Sequence, residues 1–322
     1  MVRFKKVLVT GGAGFVGTNL SRTLIEDGHE VIIVDDLSTG LKSNVESLEQ
    51  CELIEASLED AGLVERLIGK SDFIVHLGAR GSVPRSIKNP EATFRANVMG
   101  TFNVIESARK GNKPIIFSSS SSVYGINNEL PKNEKMWTSP ITPYAASKLS
   151  GEALVGSYGQ SFGIPTLVFR FFNIFGPYQR PNHDYAAVIP KWIWKAMNNQ
   201  TLQVFGDGTQ TRDFTFVGDV VEVIRTSINQ EITFPTPVNL AFGVRISLLE
   251  VIEKLKVYFP DLRVEFLSER QGDVRDSQNS PQLLKELFPN LSPKSFDDSL
   301  EETIRWLKEN IGSITSGPAV LD

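Results

Sequence analysis

The stretch Val7-Leu8-Val9-Thr10-Gly11-Gly12-Ala13-Gly14-Phe15-Val16-Gly17 decides the fold. Its apolar start predicts a short buried strand, and the pattern that follows predicts a helix to about Asp27. A glycine-rich turn between a strand and a helix lets the backbone approach a pyrophosphate at the helix N-terminus. Gly11 would allow the tight turn, Gly14 the close approach, and Gly17 the contact between helix and strand. The spacing is a variant of the usual Gly-x-Gly-x-x-Gly, and it predicts a dinucleotide-binding unit.

The alternation of strands and helices continues through the first half of the chain. Further strands are predicted at 31–34, 52–54, 73–77, 114–117 and 166–169. Further helices are predicted at 63–68, 91–109 and 144–159. Because alternating strands and helices build a parallel sheet covered on both faces, we expect an α/β fold with a Rossmann-type doubly wound parallel sheet.

The pattern changes after Arg170, where prolines interrupt it and aromatic residues cluster. Helices are predicted at 189–197, 217–228, 248–258, 281–287 and 300–311, and short strands at 202–205 and 238–240, the last of which would rejoin the sheet. We therefore expect a dinucleotide-binding domain over residues 1–169, to which 210–243 partly returns. A smaller α/β substrate-binding C-terminal lobe would follow over 170–312, and a loose tail over 313–322.

An acidic residue closes the second predicted strand. Asp35 lies at the distance from the glycines where a carboxylate accepts hydrogen bonds from the adenosine ribose. A carboxylate at this position also repels a 2′-phosphate, and the nearest downstream cation, Lys42, lies beyond a Ser-Thr-Gly turn. The pattern therefore favours NAD over NADP as the cofactor.

A tyrosine and a lysine are spaced by one helical turn in Tyr144-Ala-Ala-Ser-Lys148, so that both side chains share a face. A lysine ammonium near a phenol favours the phenolate, which makes a group with a pKa of about 10 a usable base near neutrality. Ser120, in the serine-rich stretch 118–122, could share the proton of a substrate hydroxyl. Beside a dinucleotide site, this set predicts hydride chemistry at a carbinol.

The composition excludes several classes of protein. Hydrophobic residues make up 41% of the chain and charged residues 22%, which is ordinary for a globular protein. A net charge of −5 without a basic block argues against nucleic-acid binding. No apolar stretch is long enough to span a bilayer. One cysteine and three histidines predict no disulfide and no metal site, and a reducing, cytoplasmic location.

Taken together, the motifs resemble the extended short-chain dehydrogenase/reductases. The first half contributes the glycine turn, Asp35, His76-Leu-Gly-Ala79, Ser120 before Val-Tyr-Gly, and the Tyr144/Lys148 pair. The second half contributes the segments Arg170-Phe-Phe-Asn-Ile-Phe-Gly-Pro177, Tyr185-Ala-Ala-Val-Ile-Pro190, Gly206-Asp-Gly-Thr-Gln-Thr-Arg-Asp-Phe214 and Gly272-Asp-Val-Arg-Asp-Ser277. This combination looks like the UDP-sugar 4-epimerases, a UDP-galactose 4-epimerase-like family, and it covers nearly the whole chain.

The resemblance implies a role for each matching position. Tyr144 would be the base on the sugar 4-hydroxyl, Lys148 would depress the pKa of Tyr144, and Ser120 would hydrogen-bond the same oxygen. The NAD site would comprise Gly11, Gly14, Phe15, Val16, Gly17, Asp35, Ser38, Thr39, Gly40, Ser57, Leu58, Leu77, Gly78 and Ala79, with Tyr144 and Lys148. The UDP-sugar site would comprise Arg80, Ser82, Ser120, Ser121, Asn173, Arg180, Ala187, Val188, Arg212, Arg270, Asp273 and Ser277. The resemblance also implies a homodimer formed through the helices 91–109 and 144–159.

The serine stretch distinguishes reactions within the family. Related dehydratases and decarboxylases carry carboxylates where this chain has Ser121 and Ser122, and a serine is a poor general acid or base near neutral pH. This favours simple epimerisation at carbon 4 over a dehydratase, and the intact Tyr/Lys pair disfavours a non-catalytic NAD sensor. The sugar stays open: Arg180 resembles an arginine of uronic-acid epimerases, whereas the small Ser277 leaves room for an N-acetyl group. UDP-glucose, its N-acetyl form and UDP-glucuronate all remain candidates.

Overall fold

The computed structural model describes residues 4–182, 186–269 and 276–312. Its strands are β1 Lys6–Thr10, β2 Glu30–Asp35, β3 Cys51–Glu55, β4 Phe73–His76, β5 Ile115–Ser120, β6 Thr166–Phe171, β7 Ile174–Phe175, β8 Leu202–Phe205, β9 Thr211–Asp213, β10 Thr215–Phe216, β11 Val238–Leu240, β12 Arg245–Ser247 and β13 Val264–Leu267. Its α-helices are α1 Phe15–Glu26, α2 Ala61–Gly69, α3 Val83–Lys88, α4 Pro90–Phe94, α5 Gly100–Gly111, α6 Pro143–Phe162, α7 Val188–Met197, α8 Val217–Gln230, α9 Leu248–Tyr258, α10 Gln282–Leu287 and α11 Phe296–Glu309.

Seven of the strands form one parallel sheet in the order β11-β6-β5-β4-β1-β2-β3. The strand order reverses at β1 and β4, and in such sheets ligands bind in the crevice outside the carboxyl ends of these two strands. The predicted Rossmann-type doubly wound sheet is therefore confirmed. As the sequence predicted, residues 238–240 rejoin the sheet, next to β6.

Alternating residues of the central strand enter two separate cores. Val7 and Val9 pack with residues of α1 and α8 on one face, whereas Leu8 packs with residues of α2, α5 and α6 on the other. This follows from the period of two along a strand. The sheet is thus covered on both faces, and its carboxyl edge is left for a site.

Shorter strand pairs lie after β6. β8 and β13 are parallel, β9 and β12 are antiparallel, and β7 and β10 are parallel. The division of the chain at residue 169 stays a prediction. Within the described ranges, no helix has the length and apolar character needed to cross a membrane, and no cluster of histidine, cysteine and carboxylate side chains could hold a metal ion.

The continuous helix predicted at 91–109 is wrong in its middle. A π-helical turn at Arg95–Met99 separates α4 from α5. At this turn the side-chain oxygen of Asn97 accepts a hydrogen bond from the backbone N–H of Arg80. The backbone carbonyl oxygen of Asn97 accepts one from the hydroxyl of Thr101. Such a bulge often marks a functional site, and this one lies at the carboxyl edge of the sheet.

Candidate active site

The glycine turn between β1 and α1 is shaped for close backbone contacts. Gly11 has φ +69°, a conformation that side chains other than glycine rarely adopt. A Cβ atom on Gly17 would lie 2.3 Å from the carbonyl oxygen of Gly11. α1 begins after Gly14 without a side-chain cap, so its first N–H groups are available to an anion. These features fit the pyrophosphate of a dinucleotide.

Asp35 lies at the end of β2 beside this turn. Its carboxylate accepts hydrogen bonds from the N–H groups of Ala13 at 3.0 Å and Leu37 at 2.9 Å. Burial raises its pKa, and these backbone donors partly oppose that effect. A Cβ atom on Gly40 would come within 3.0 Å of both carboxylate oxygens, so a glycine there keeps the carboxylate accessible. The remaining lone pairs of Asp35 suit ribose hydroxyls, and NAD therefore fits this end of the site.

One cavity of about 480 Å³ joins these residues to the candidate catalytic groups. Most of the predicted cofactor residues line it: Gly11, Gly14, Phe15, Val16, Gly17, Asp35, Ser38, Thr39, Ser57, Leu58, Leu77, Gly78, Ala79, Tyr144 and Lys148. Gly40 lies behind Asp35. The predicted substrate residues that line the cavity are Arg80, Ser82, Ser120, Asn173, Arg180 and Ala187.

Ser120, Tyr144 and Lys148 meet where β5 ends against α6. Ser120 and Tyr144 both line the cavity, close enough for the Ser120 hydroxyl to lower the pKa of Tyr144. The Nζ of Lys148 donates to the carbonyl oxygen of Ser118 at 2.7 Å and lies 5.2 Å from the ring centroid of Phe117. The helical spacing thus places both residues on the cavity side of α6, as the sequence predicted.

Burial dominates the electrostatics of this pair. It lowers the pKa of Lys148 to about 7. It raises the pKa of Tyr144, and the hydrogen bond with Ser120 opposes this only in part. The sequence led us to expect that Lys148 depresses the pKa of Tyr144, and that direction is wrong, because desolvation disfavours the charged forms of both residues.

A buried polar network supports the end of β5 and the 3-10 turn Ser121–Tyr124. Glu152, one turn after Lys148 on α6, binds Arg170 through two hydrogen bonds of 2.6 and 3.0 Å and accepts another from Ser119. Arg170 also donates to the hydroxyl of Tyr124, which donates to Asn239 on β11. Because each of these polar groups has a partner, the network fixes the serine stretch relative to α6.

Two residues that sequence reasoning did not select also belong to the site. The side chain of Asn97 accepts from the N–H of Arg80 at 2.7 Å and donates to Ser147 at 2.9 Å, between Tyr144 and Lys148 in the sequence. Arg85 lines the cavity from the start of α3, although it is only 7% exposed. The nearby sequence Ser-Val-Pro-Arg, with its helix-start signal, could have drawn attention to Arg85.

The cavity is also lined by basic residues. Arg80, Arg85 and Arg180 all line it. Burial lowers the pKa of Arg180, and the positive charge of Arg85 adds to that effect. Arg85 and Arg180 therefore bring positive charge to the same cavity.

Asn173, after β6, links the cavity to the C-terminal part of the chain. Its amide donates to the carbonyl oxygen of Asp213 at 3.1 Å and to the hydroxyl of Ser277 at 3.3 Å. Arg212 precedes Asp213 on β9 and donates to the carbonyl of Thr211. Ser277 is thus hydrogen-bonded to Asn173, whereas neither Ser277 nor Arg212 itself lines the cavity.

The remaining predicted substrate residues fall into two groups. Ser121 lies in the 3-10 turn and Val188 begins α7, and neither lines the cavity. Direct substrate contact by these two residues is therefore not supported by this geometry. Arg270 and Asp273 lie outside the described residues.

Comparisons with known proteins agree with this architecture. Residues 7–241 match the model of the "NAD dependent epimerase/dehydratase family". The chain is 33% identical to a UDP-glucose 4-epimerase of Mycolicibacterium smegmatis, over 94% of this chain and 98% of that protein. It is also 33% identical to UDP-glucuronic acid decarboxylase 1 of Danio rerio, over 95% of this chain and 73% of that protein.

A solved structure has nearly the same fold. It is the UDP-N-acetylglucosamine 4-epimerase from Methanobrevibacter ruminantium M1 in complex with UDP-N-acetylmuramic acid. Its TM-score is 0.91 and its sequence identity 33%, with 96% of this chain and 99% of that chain covered. The predicted resemblance to the extended dehydrogenase/reductases and the prediction of NAD as cofactor are thereby confirmed, and the chain belongs to the NAD dependent epimerase/dehydratase family.

Proposed function

We propose that the protein is a UDP-sugar 4-epimerase that inverts carbon 4 through a transient 4-keto sugar. The observation that carries the proposal is the placement of Ser120, Tyr144 and Lys148 in the same cavity as the glycine turn and Asp35. Groups suited to proton transfer at a hydroxyl thus lie next to a site suited to NAD. Both are needed to oxidise and then reduce one carbinol.

The side chains of this site have separable tasks. The phenolate form of Tyr144 takes the proton of the 4-hydroxyl and becomes the phenol, and Ser120, which lines the same cavity, contacts the same oxygen. When bound, NAD supplies the hydride acceptor for the oxidation and the donor for the return. Lys148 lies one helical turn from Tyr144 in the same cavity, and in its protonated form it would stabilise negative charge on the phenol oxygen, against the effect of burial. Tyr144 gives the proton back to the carbon-4 oxygen as the hydride returns, so that the reaction has no net redox change.

The serine stretch supports epimerisation over elimination or decarboxylation. Ser122 donates its N–H and its hydroxyl to the hydroxyl of Ser120, at 3.2 and 2.9 Å. Residue 122 is thereby engaged in orienting Ser120. Ser121, at the other position where related dehydratases and decarboxylases carry a carboxylate, does not line the cavity. Neither position therefore supplies the carboxylate that elimination or decarboxylation would use.

A second candidate substrate class follows from the arginines. Arg85 and Arg180 face the cavity close enough for one charge to affect the other. A sugar carboxylate in this cavity would lie near this positive charge, which favours UDP-glucuronate as an alternative to UDP-glucose and its N-acetyl form. A charged hydrogen bond of this kind is worth about 1.5–3 kcal/mol, or about ten- to hundredfold in KM.

The test is a substrate panel followed by proton NMR of the carbon-4 configuration. UDP-glucose, UDP-N-acetylglucosamine and UDP-glucuronate are each incubated with the purified protein, with Tyr144→Phe as the inactive variant. Tyr158→Phe, on the same helix, is the matched control and should retain activity. The proposal fails if no UDP-sugar is interconverted, or if Tyr144→Phe loses less than about a hundredfold in kcat.

The same panel decides the sugar. If UDP-glucuronate is the substrate, Arg180→Gln should raise its KM by about ten- to hundredfold without a comparable change for neutral sugars. The exposed Arg66→Gln removes the same charge far from the cavity and should leave KM unchanged. An equal effect of Arg180→Gln on charged and neutral sugars would contradict the carboxylate assignment.

We also propose a homodimer formed through the α4–α6 side of the molecule. Phe94, Met99 and Phe102 are 53%, 44% and 39% exposed along α4, the π turn and α5, and α4 and α5 pack on α6. An exposed apolar row of this kind commonly marks a protein interface. Phe94→Glu combined with Phe102→Glu should give a monomer in analytical ultracentrifugation, and a monomeric wild-type protein would refute the proposal.

A further inference from the structure

His76 is a buried titratable residue to which the proposed reaction gives no task. It ends β4, is 0% exposed and directly precedes the Leu77-Gly78-Ala79 loop of the cavity. Its Nδ1 lies 2.7 Å from the hydroxyl of Thr10, and its Nε2 lies 2.9 Å from the hydroxyl of Thr101. The ring therefore bridges the end of β1 and the start of α5.

The number of protons available determines the tautomer. The hydroxyl of Thr101 donates its one proton to the carbonyl oxygen of Asn97, at 2.5 Å. It can therefore only accept from His76, so the proton of the ring must be on Nε2. The bare Nδ1 then accepts the proton of Thr10, whose oxygen in turn accepts from the N–H of Gly78 at 3.0 Å.

These hydrogen bonds form one series, all in the same donor-to-acceptor direction, from the cofactor loop to the π turn. It runs from Gly78 through Thr10, His76 and Thr101 to Asn97, and every donor in it has one acceptor. We propose that His76 is a positioning residue, held neutral with its proton on Nε2, that fixes the loop at Gly78 relative to the π turn at Asn97.

Both ends of this series of hydrogen bonds reach the candidate active site. Gly78 lines the cavity, and a Cβ atom there would lie 2.8 Å from Leu58, so the loop has little room to shift. At the other end, the amide of Asn97 holds the backbone of Arg80 and the hydroxyl of Ser147. A displaced imidazole would therefore move the cofactor loop and α6 relative to each other.

Protonation of His76 would break this series of hydrogen bonds, because both ring nitrogens would then be donors. The hydroxyl of Thr10 could then no longer donate to Nδ1 and would have to accept from it instead. Burial, and secondarily the positive charge of Lys148 on α6, lower the pKa of His76 to about 3. The aromatic ring of Phe117 packs at 5.4 Å from its ring and offers no charge in return. The neutral form is thus kept across the physiological range.

The first test is the tautomer itself, by ¹⁵N NMR of histidine-labelled protein. The chain has three histidines, and His76→Phe identifies the signal of His76. We expect a protonated Nε2, a bare Nδ1 and no titration between about pH 5 and 9. A protonated Nδ1 or a titration in this range would overturn the proposal. This readout does not depend on NAD.

The second test uses Thr101→Val, which removes the acceptor of Nε2 at nearly constant volume. We expect the ring proton to move to Nδ1 and NAD to bind about three- to tenfold more weakly in calorimetry. Thr303→Val is the matched control, since Thr303 is also buried on a helix and donates to a carbonyl four residues earlier. Thr101→Ser keeps the hydroxyl and should restore both properties.

This inference rests on the NAD placement proposed above, and the two can fail separately. A wild-type protein that binds no NAD contradicts the placement. The tautomer of His76, measured by NMR, would still test whether the hydrogen bonds run as proposed. If Thr101→Val matches Thr303→Val in both the tautomer of His76 and NAD affinity, His76 does not position the loop.

Discussion

Replacing Lys148 by methionine should make the ligand-free protein more stable while abolishing turnover. Burial lowers the pKa of Lys148 from its ordinary 10.5 to about 7. At 1.36 kcal/mol per pH unit, the charged lysine costs about 5 kcal/mol of folding free energy at pH 7 and below. Methionine removes this cost but loses the hydrogen bond to Ser118, worth about 1–3 kcal/mol. The expected net gain is about 2–4 kcal/mol.

The stability difference between Lys148→Met and the wild type should depend on pH in a defined direction. Between pH 7 and 10.5 the unfolded chain binds a proton on Lys148 that the folded protein does not, so the stability of the wild type rises with pH. The advantage of Lys148→Met should therefore shrink by about 1.4 kcal/mol per pH unit above pH 7. Groups common to both proteins cancel in this difference.

The assay is urea unfolding of the NAD-free proteins at about pH 7, 8 and 9, followed by circular dichroism. The exposed Lys70→Met serves as the control and should change stability by less than about 0.5 kcal/mol. Two results would refute the reasoning: a Lys148→Met protein that is less stable than wild type at pH 7, or a stability difference that does not fall as pH rises.

Three further perturbations test other parts of the site. Glu152→Gln should cost about 3–5 kcal/mol in urea unfolding, because it leaves the buried charge of Arg170 without its carboxylate, and Glu152→Leu with Arg170→Met should recover most of it. Gly17→Ala should weaken NAD binding at least tenfold in calorimetry, since its Cβ would lie 2.3 Å from a carbonyl oxygen, whereas Gly69→Ala has open space and should not. Burial raises the pKa of Asp213 from 3.8 to about 7, so its ionisation destabilises the fold as pH rises through this range; Asp213→Asn should gain about 4 kcal/mol at pH 8 and less than about 1 kcal/mol at pH 4.

Local patterns made much of the fold and the cofactor end predictable. The glycine turn, Asp35 and the Tyr144/Lys148 spacing each depend on neighbours within a few residues, and periodicity located the strands that carry them. The order of strands then follows from the few topologies that right-handed connections allow. The residues of the cofactor end were therefore predictable, whereas the cavity that joins them to Tyr144 and Lys148 is a finding of the structure.

The features that were missed depend on contacts between distant parts of the chain. The π turn is tied to the backbone of Arg80 and the side chain of Ser147, neither of which a helical pattern at 91–109 reveals. The convergence of Arg85 with Arg180 requires segments after β4 and β6 to meet. The pKa of Tyr144 was expected in the wrong direction because spacing reports the neighbour but not the loss of solvent.

The arrangement separates reaction type from substrate choice. The catalytic candidates lie on β5 and α6, which the Glu152–Arg170 network fixes to the sheet, whereas the arginines that would contact the sugar lie on segments after β4 and β6. The sugar preference could therefore change without disturbing proton transfer.

The reaction type could not change so simply. A carboxylate at position 122 would remove the hydroxyl that now donates to Ser120, and a carboxylate at position 121 would start from a residue that does not line the cavity. Converting this site to elimination thus requires the 3-10 turn itself to move, which Tyr124 and its buried partners oppose.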